Sequence, residues 1–160
     1  MTNRKVQAVI GFLEETPGSI GQLAAGLTER DLKWKPSSAE FSVLEQVCHL
    51  RDLEREGYHV RIRKMLAANQ PTLPDFDGSR LARERDYNGQ DFEQAIREFA
   101  RARAENVHVM KTLSPAQLNR SAVLDNVGLI TLERLLQLML EHDESHRKEL
   151  CDLRERMRAR

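Results

Sequence analysis

Two histidines one helical turn apart, His142 and His146, stand in an apolar stripe formed by Leu132, Leu135, Met139, Leu150 and Leu153 at steps of three or four residues. With 3.6 residues per turn, the two imidazoles stack on the buried face of one helix, close enough to grip a single ion. Leaving two such rings unpartnered in a bundle interior costs roughly a few kcal/mol of desolvation, so a metal or a polar group must satisfy them. A solvated cluster or hydrogen bonding within the protein is the alternative. The HxxxH pattern has Asp143 at its second position, where a zinc protease motif carries glutamate, so that protease chemistry is not expected.

Two ligands leave most of a coordination sphere open, which calls for a third from another helix. The candidate is His49, at the edge of the stripe Val43, Val47, Leu50 and Leu53. Taken alone, a histidine in such a place is more often simply hydrogen-bonded through its one donor and one acceptor. Glu45 and Asp52 flank His49 by one turn on either side, and Asp143 adjoins His142. Each of these carboxylates could orient an imidazole through its second nitrogen, accept a proton or ligate directly. His59 lies roughly 15 Å further along the helix from His49 and cannot share its ion. His108 falls among Arg101, Glu105 and Lys111 on what reads as a solvated face.

The elements that must position these residues read as four helices. The first carries Val6, Ile10, Leu13, Ile20, Ala24 and Leu27 in one stripe and is expected to kink or break at Thr16, Pro17 and Gly18, with Thr16 capping the restart. Thr28 to Asp31 repeats a short capping pattern ahead of a connector holding Trp34 and Pro36, with Trp34 expected to cover the bundle end. The second helix starts at the capping box of Ser42 and Glu45 and runs to about Ala68. Residues 69–90, rich in Pro, Gly and Asp, are too long for a turn and read as a crossover that lets helices two and three lie parallel. Helix three spans about Asp91 to Leu113, with Phe92, Ile96, Phe99, Val109 and Leu113 inward. After an irregular stretch around Asp125, Asn126 and Gly128, helix four starts near Thr131 and ends in Arg154, Arg156 and Arg158, which suit its negative pole.

Composition agrees with one all-α domain over residues 1–160. Lys plus Arg and Asp plus Glu number 25 each, which leaves no global field to recruit nucleic acid or an anionic membrane. Arg4 and Lys5 precede an apolar run that ends at Glu14 and Glu15 without a small-residue cleavage site, so no signal peptide is expected. No apolar run approaches the roughly 18 residues of a membrane span. A cytoplasmic protein follows, with Cys48 and Cys151 as reduced thiols in the core.

Trp34 with Pro36, then Phe41, Ser42, Val43, Leu44, Glu45, Val47, His49, Leu50, Asp52 and Glu54, and finally His142, Asp143 and His146, resemble the DinB-like four-helix proteins, in particular their DinB_2-type branch. HLxD followed by HDxxH about 90 residues later is the specific part of the likeness. The segment from Arg61 to Leu66 into Pro71, Leu73 and Pro74 resembles that family's connector, and Gly128, Thr131 and Leu132 its opening of the last helix. The resemblance implies a four-helix bundle with a long crossover between helices two and three, often a homodimer. It also implies a divalent ion such as nickel, zinc or iron on His49, His142 and His146, and thiol-dependent transferase or related chemistry that uses a low-molecular-weight thiol. Relatives often place a further polar residue before the glycine that opens helix four, where Leu124, Asp125, Asn126 and Val127 stand here.

The reaction class then follows from an incomplete shell. Three neutral imidazoles on one side of an ion leave room for water or a substrate thiol, whose pKa the charge lowers towards neutrality. A metal-dependent thiol transferase or hydrolase acting on a small molecule is the expectation, with Asp143, Asp52 or Glu45 as proton acceptor or ring anchor. The alternative is a metal-stabilised structural or binding bundle without turnover, which a closed four-ligand shell would favour.

Overall fold

A computed structural model describes residues 3–160. Its frame is four long rods. The first, α1 (Asn3–Ala24), is one continuous helix. The second is unbroken from Val43 to Ala67 but changes winding along its length, as α3 (Val43–Asp52), a π-helical turn over Leu53–Tyr58, and α4 (His59–Ala67). The third is α6 (Phe92–Met110) and the fourth α8 (Leu132–Arg158). Between α1 and α3 lies the single turn α2 (Glu29–Leu32), closed by a capping box between Thr28 and Asp31. Trp34 packs against the apolar cluster at that end of the bundle, with the Arg160 guanidinium 4.7 Å from its ring centre.

Capping explains where the rods begin. Ser42 and Glu45 exchange side-chain and backbone hydrogen bonds at the start of α3, Asp91 accepts from the Gln94 amide at α6, and Thr131 accepts from the Arg134 amide at α8. The second and third rods run the same way, since Arg51 reaches Glu98 at 3.3 Å and, further along both, His59 Nδ1 meets Asn106 Oδ1 at 2.9 Å. The crossover that permits this is not bare loop. It carries β1 (Thr72–Leu73), α5 (Gly78–Glu84) and a 3₁₀ turn at Tyr87–Gly89.

Three expectations from the sequence need correction. The α1 rod does not break at Pro17. The Thr16 hydroxyl donates to the Phe12 carbonyl one turn back instead of capping a new start, and it is fully buried. The stretch before α8 is a hairpin, β2 (Ser121–Leu124) and β3 (Gly128–Thr131), turned by Asn126 and Gly128 at positive φ. Its β2 pairs with β3 antiparallel and with β1 parallel, Thr72 opposite Val123 and Leu73 opposite Leu124. The third rod ends at Met110, short of Leu113, and beyond it Ser114 caps the short α7 (Pro115–Leu118) with Pro115 at its first position. The fold is still mostly helical, and its bundle is that of the expected class.

The interior divides into two apolar clusters, and every rod passes from one to the other. Leu13 belongs to the first and Ile20 to the second. Leu53 and Leu50 divide in the same way, as do Val107 and Phe99, and Met139 and Leu150. At the crossing level the sequence places Thr16 on α1, Glu54 in the π turn, Arg103 and Asn106 on α6, and Asp143 and His146 on α8, all buried. The candidate site sits in this polar seam.

Candidate metal centre

The structure brings His49, His142 and His146 together: one ligand atom from each lies within 4.8 Å of the others. The atoms that meet are the Nε2 nitrogens. His142 Nε2 is 3.3 Å from that of His49 and 3.2 Å from that of His146. One ring nitrogen carries one proton or one lone pair, so His142 Nε2 can make a proper hydrogen bond to only one of these two neighbours. A cation resolves the conflict. Three nitrogens at about 2.0–2.1 Å from a tetrahedral ion stand about 3.3–3.4 Å apart, close to the separations found here. No fourth histidine, cysteine, aspartate or glutamate joins the set among the described residues.

Burial keeps the rings neutral, as ligation requires. Desolvation, reinforced by His146, lowers His49 to about 4. His142 is lowered further by its own burial, then by His146 and His49, to about 2. His146 is shifted the same way by desolvation. Its tautomer is set by Gln46, whose Oε1 lies 3.0 Å from His146 Nδ1 and accepts its proton, leaving the Nε2 lone pair to face the centre. Nδ1 of His49 and Nδ1 of His142 are buried without a hydrogen-bond partner among the described residues. His142 is nonetheless half-buried as a whole, so its accessible side is the one away from Nδ1.

Close packing holds His49 in place. Phe41 and Phe76 flank it with ring centres 5.9 and 6.0 Å away, and Gly78, the first residue of α5, abuts its ring. A Cβ at position 78 would stand 2.5 Å from His49 Nδ1, so glycine is required by the space alone. Tyr58, in the π turn, presents its ring to His142 at 6.3 Å, and burial raises its hydroxyl pKa.

The three carboxylates expected to serve the imidazoles are engaged elsewhere. Glu45 accepts from the Ser42 amide and from Lys35 Nζ. Asp52 is held by Arg51, Arg85 and Tyr87, whose hydroxyl reaches it at 2.6 Å; although burial opposes ionisation, these donors bring its carboxyl below the ordinary range. Asp143 faces α6, taking two hydrogen bonds from Arg103 at 2.6 and 3.1 Å. The residue missed in the sequence is Gln46, a polar side chain three positions before His49 and only 2 % exposed. The signal for it is its spacing, three residues before His49 and on the same side of the helix. Cys48 is buried as expected, with its thiol pushed up to about 12 chiefly by desolvation, whereas Cys151 is exposed, on the outer side of α8.

A groove of about 460 Å³ adjoins the centre, lined among others by Phe41, Gln46, Ser79, His146, Glu149 and Asp152. Glu149 Oε2 lies 3.7 Å from His146 Nδ1 and remains solvent-accessible. Among the described residues no helix is long and apolar enough to cross a membrane.

Four rods with a long crossover and three imidazoles gathered from the second and fourth define the class, and the chain belongs to the DinB superfamily, whose profile matches residues 13–150. In three dimensions it is similar to YfiT from Bacillus subtilis, described as a probable metal-dependent hydrolase with an unusual four-helix bundle topology. The two share 22% identity at a TM-score of 0.91, over 98% of this chain and 90% of that one. A second similar structure is a DinB-like protein, YjoA, also from B. subtilis, with 18% identity and a TM-score of 0.61 over 94% and 92% of the two chains. No curated protein matches the sequence.

Proposed function

We propose that this protein is a divalent-metal-dependent enzyme that hydrolyses a small molecule or transfers a low-molecular-weight thiol to it. The observation that carries the reading is the convergence of three Nε2 atoms with no fourth histidine, cysteine or carboxylate among the described residues, beside a groove that His146 helps to line. Structural sites close their shell with four protein ligands, while catalytic sites keep a position open. The description of YfiT as a probable metal-dependent hydrolase supports the hydrolytic arm.

His49, His142 and His146 would hold the ion, which could be nickel, zinc or iron, since imidazole suits all three. When bound, it supplies Lewis acidity, polarising a carbonyl or acidifying water or a thiol near neutral pH. The protein's own groups do the rest. Gln46 keeps His146 in the tautomer that ligates, and the low pKa values of the rings spare the site competition from protons. Glu149 lines the groove, solvent-accessible and 3.7 Å from His146 Nδ1, and would accept a proton from a substrate lying there, while Glu45, Asp52 and Asp143 are held in contacts of their own. Cys48 stays a thiol and is no nucleophile. A homodimer working in the cytoplasm belongs to the same proposal, and sedimentation tests its first half.

Elemental analysis of the purified protein beside His142→Ala and His146→Ala tests the ligand set: the wild type should carry close to one ion per chain and the variants little. Equal metal in all three, or none in any preparation, overturns it. Millimolar thiol added to cobalt-loaded protein should change the visible spectrum. An unchanged spectrum removes the transferase arm and leaves hydrolysis, to be followed with ester and amide substrates.

A further inference from the structure

Proline within a helix lacks the N–H that would bond the carbonyl four residues back. In α1 the carbonyl released by Pro17 is that of Leu13, which is fully buried and shut off from water. It is taken by Arg103: Nη1 donates to the Leu13 oxygen at 2.8 Å across ninety residues of chain. The same guanidinium, 1 % exposed, also holds Asp143 at 2.6 and 3.1 Å and sits 2.9 Å from Glu54 Oε2. Glu54 is braced in turn by Asn106 Nδ2 at 2.8 Å on its other oxygen.

Those partners fall on the rods that carry the candidate ligands. Glu54 lies just beyond His49 in the second rod, and Asp143 lies between His142 and His146 in the fourth. Arg103 reaches both and is anchored from a third side by α1. We infer, on the metal reading above, that Arg103 is a positioning residue that sets the separation of His49 from the His142 and His146 pair, and that Pro17 serves it by leaving the Leu13 carbonyl free. A guanidinium suits the task because its planar fork can donate to several acceptors at once, which an ammonium at the end of a lysine cannot do in the same geometry. This also gives a reason for a proline in the middle of a long helix that does not break there.

The test compares wild type, Pro17→Ala and Arg103→Lys. Three quantities are read: the urea midpoint of the metal-free protein, cobalt affinity by competition with a chelator, and the visible bands of the cobalt-loaded protein. Pro17→Ala returns an N–H to the Leu13 carbonyl and a better helix former to α1. Its urea midpoint should therefore hold or rise while cobalt affinity falls about tenfold and the bands shift. Arg103→Lys, which keeps the buried charge, should shift the bands the same way and weaken cobalt further. A purely structural role would move the midpoint and leave the bands of the folded, loaded protein as they are. If the wild type binds cobalt and both variants match it in affinity and bands, the positioning role is overturned alone; if the wild type binds none, the metal reading falls and takes this inference with it.

Discussion

Mild acid should destabilise the metal-free protein through its histidines. An unfolded histidine titrates near 6.5, whereas burial, with His146 beside it, holds His49 at about 4 in the fold. The folded value is the depressed one, so the stabilising contribution is complete above about pH 6.5, where neither state binds a proton. Between about pH 6.5 and 4 the unfolded chain takes up a proton that the folded ring refuses, and stability falls by about 1.4 kcal/mol per pH unit for each such group. Across that whole span His49 alone accounts for about 3 kcal/mol, a large part of the roughly 5–15 kcal/mol by which domains are stable. His142 and His146 are lowered by the same burial and act in the same direction. Urea unfolding in the presence of a chelator, at steps from about pH 7 to 4.5, measures the slope, with His49→Gln beside the wild type. The wild type should lose stability steeply in this window and the variant less steeply. A flat profile in the wild type, or the same slope in both, would refute the neutral, buried triad.

Other perturbations separate the parts of the site. Gly78→Ala forces a methyl group to within 2.5 Å of His49 Nδ1 and should weaken cobalt binding at least tenfold, measured by chelator competition; unchanged affinity would mean that His49 moves freely. Gln46→Leu removes the acceptor on His146 Nδ1 and should weaken metal binding by about 10- to 100-fold, with Gln46→Glu, which keeps an oxygen there, closer to wild type in the same titration. A thiol-reactive chromophore should find one fast thiol in the folded protein, Cys151, and a second only on unfolding, because Cys48 is buried and held protonated up to about pH 12. Two fast thiols would contradict that placement.

What was legible in the sequence was local. The imidazoles at 142 and 146 interrupt a stripe whose period is plain, and Ser42 with Glu45 marks the start of the rod that brings His49. The seam of buried charge was not legible, because its partners come from distant parts of the chain. The inward face of α6 is Ala95, Phe99, Ala102, Arg103, Asn106, Val107 and Met110, offset from the all-apolar face drawn through Ile96, Val109 and Leu113. A pattern of apolar residues cannot place Arg103 inside, since an arginine is admitted there only by Glu54, Asp143 and the Leu13 carbonyl. Those contacts also explain why Pro17 is tolerated and why Asp143 points away from the imidazoles. The strands are hidden in the sequence for another reason: they are two and four residues long, too short for alternation to stand out.

The pairing of β1 with β2 ties together two parts of the chain that are distant in sequence. Thr72 and Val123 are separated by roughly 50 residues, with α6 among them, and loop closure of that length must be met before the ladder returns any hydrogen bond. The far strand, β3, leads without a break into α8, whose first amide, that of Leu132, donates to the Arg120 carbonyl at 2.8 Å. The root of the last helix is thus tied to the ladder. The fourth rod, and with it His142 and His146, is thereby fastened at its root to the crossover that leaves the rod of His49.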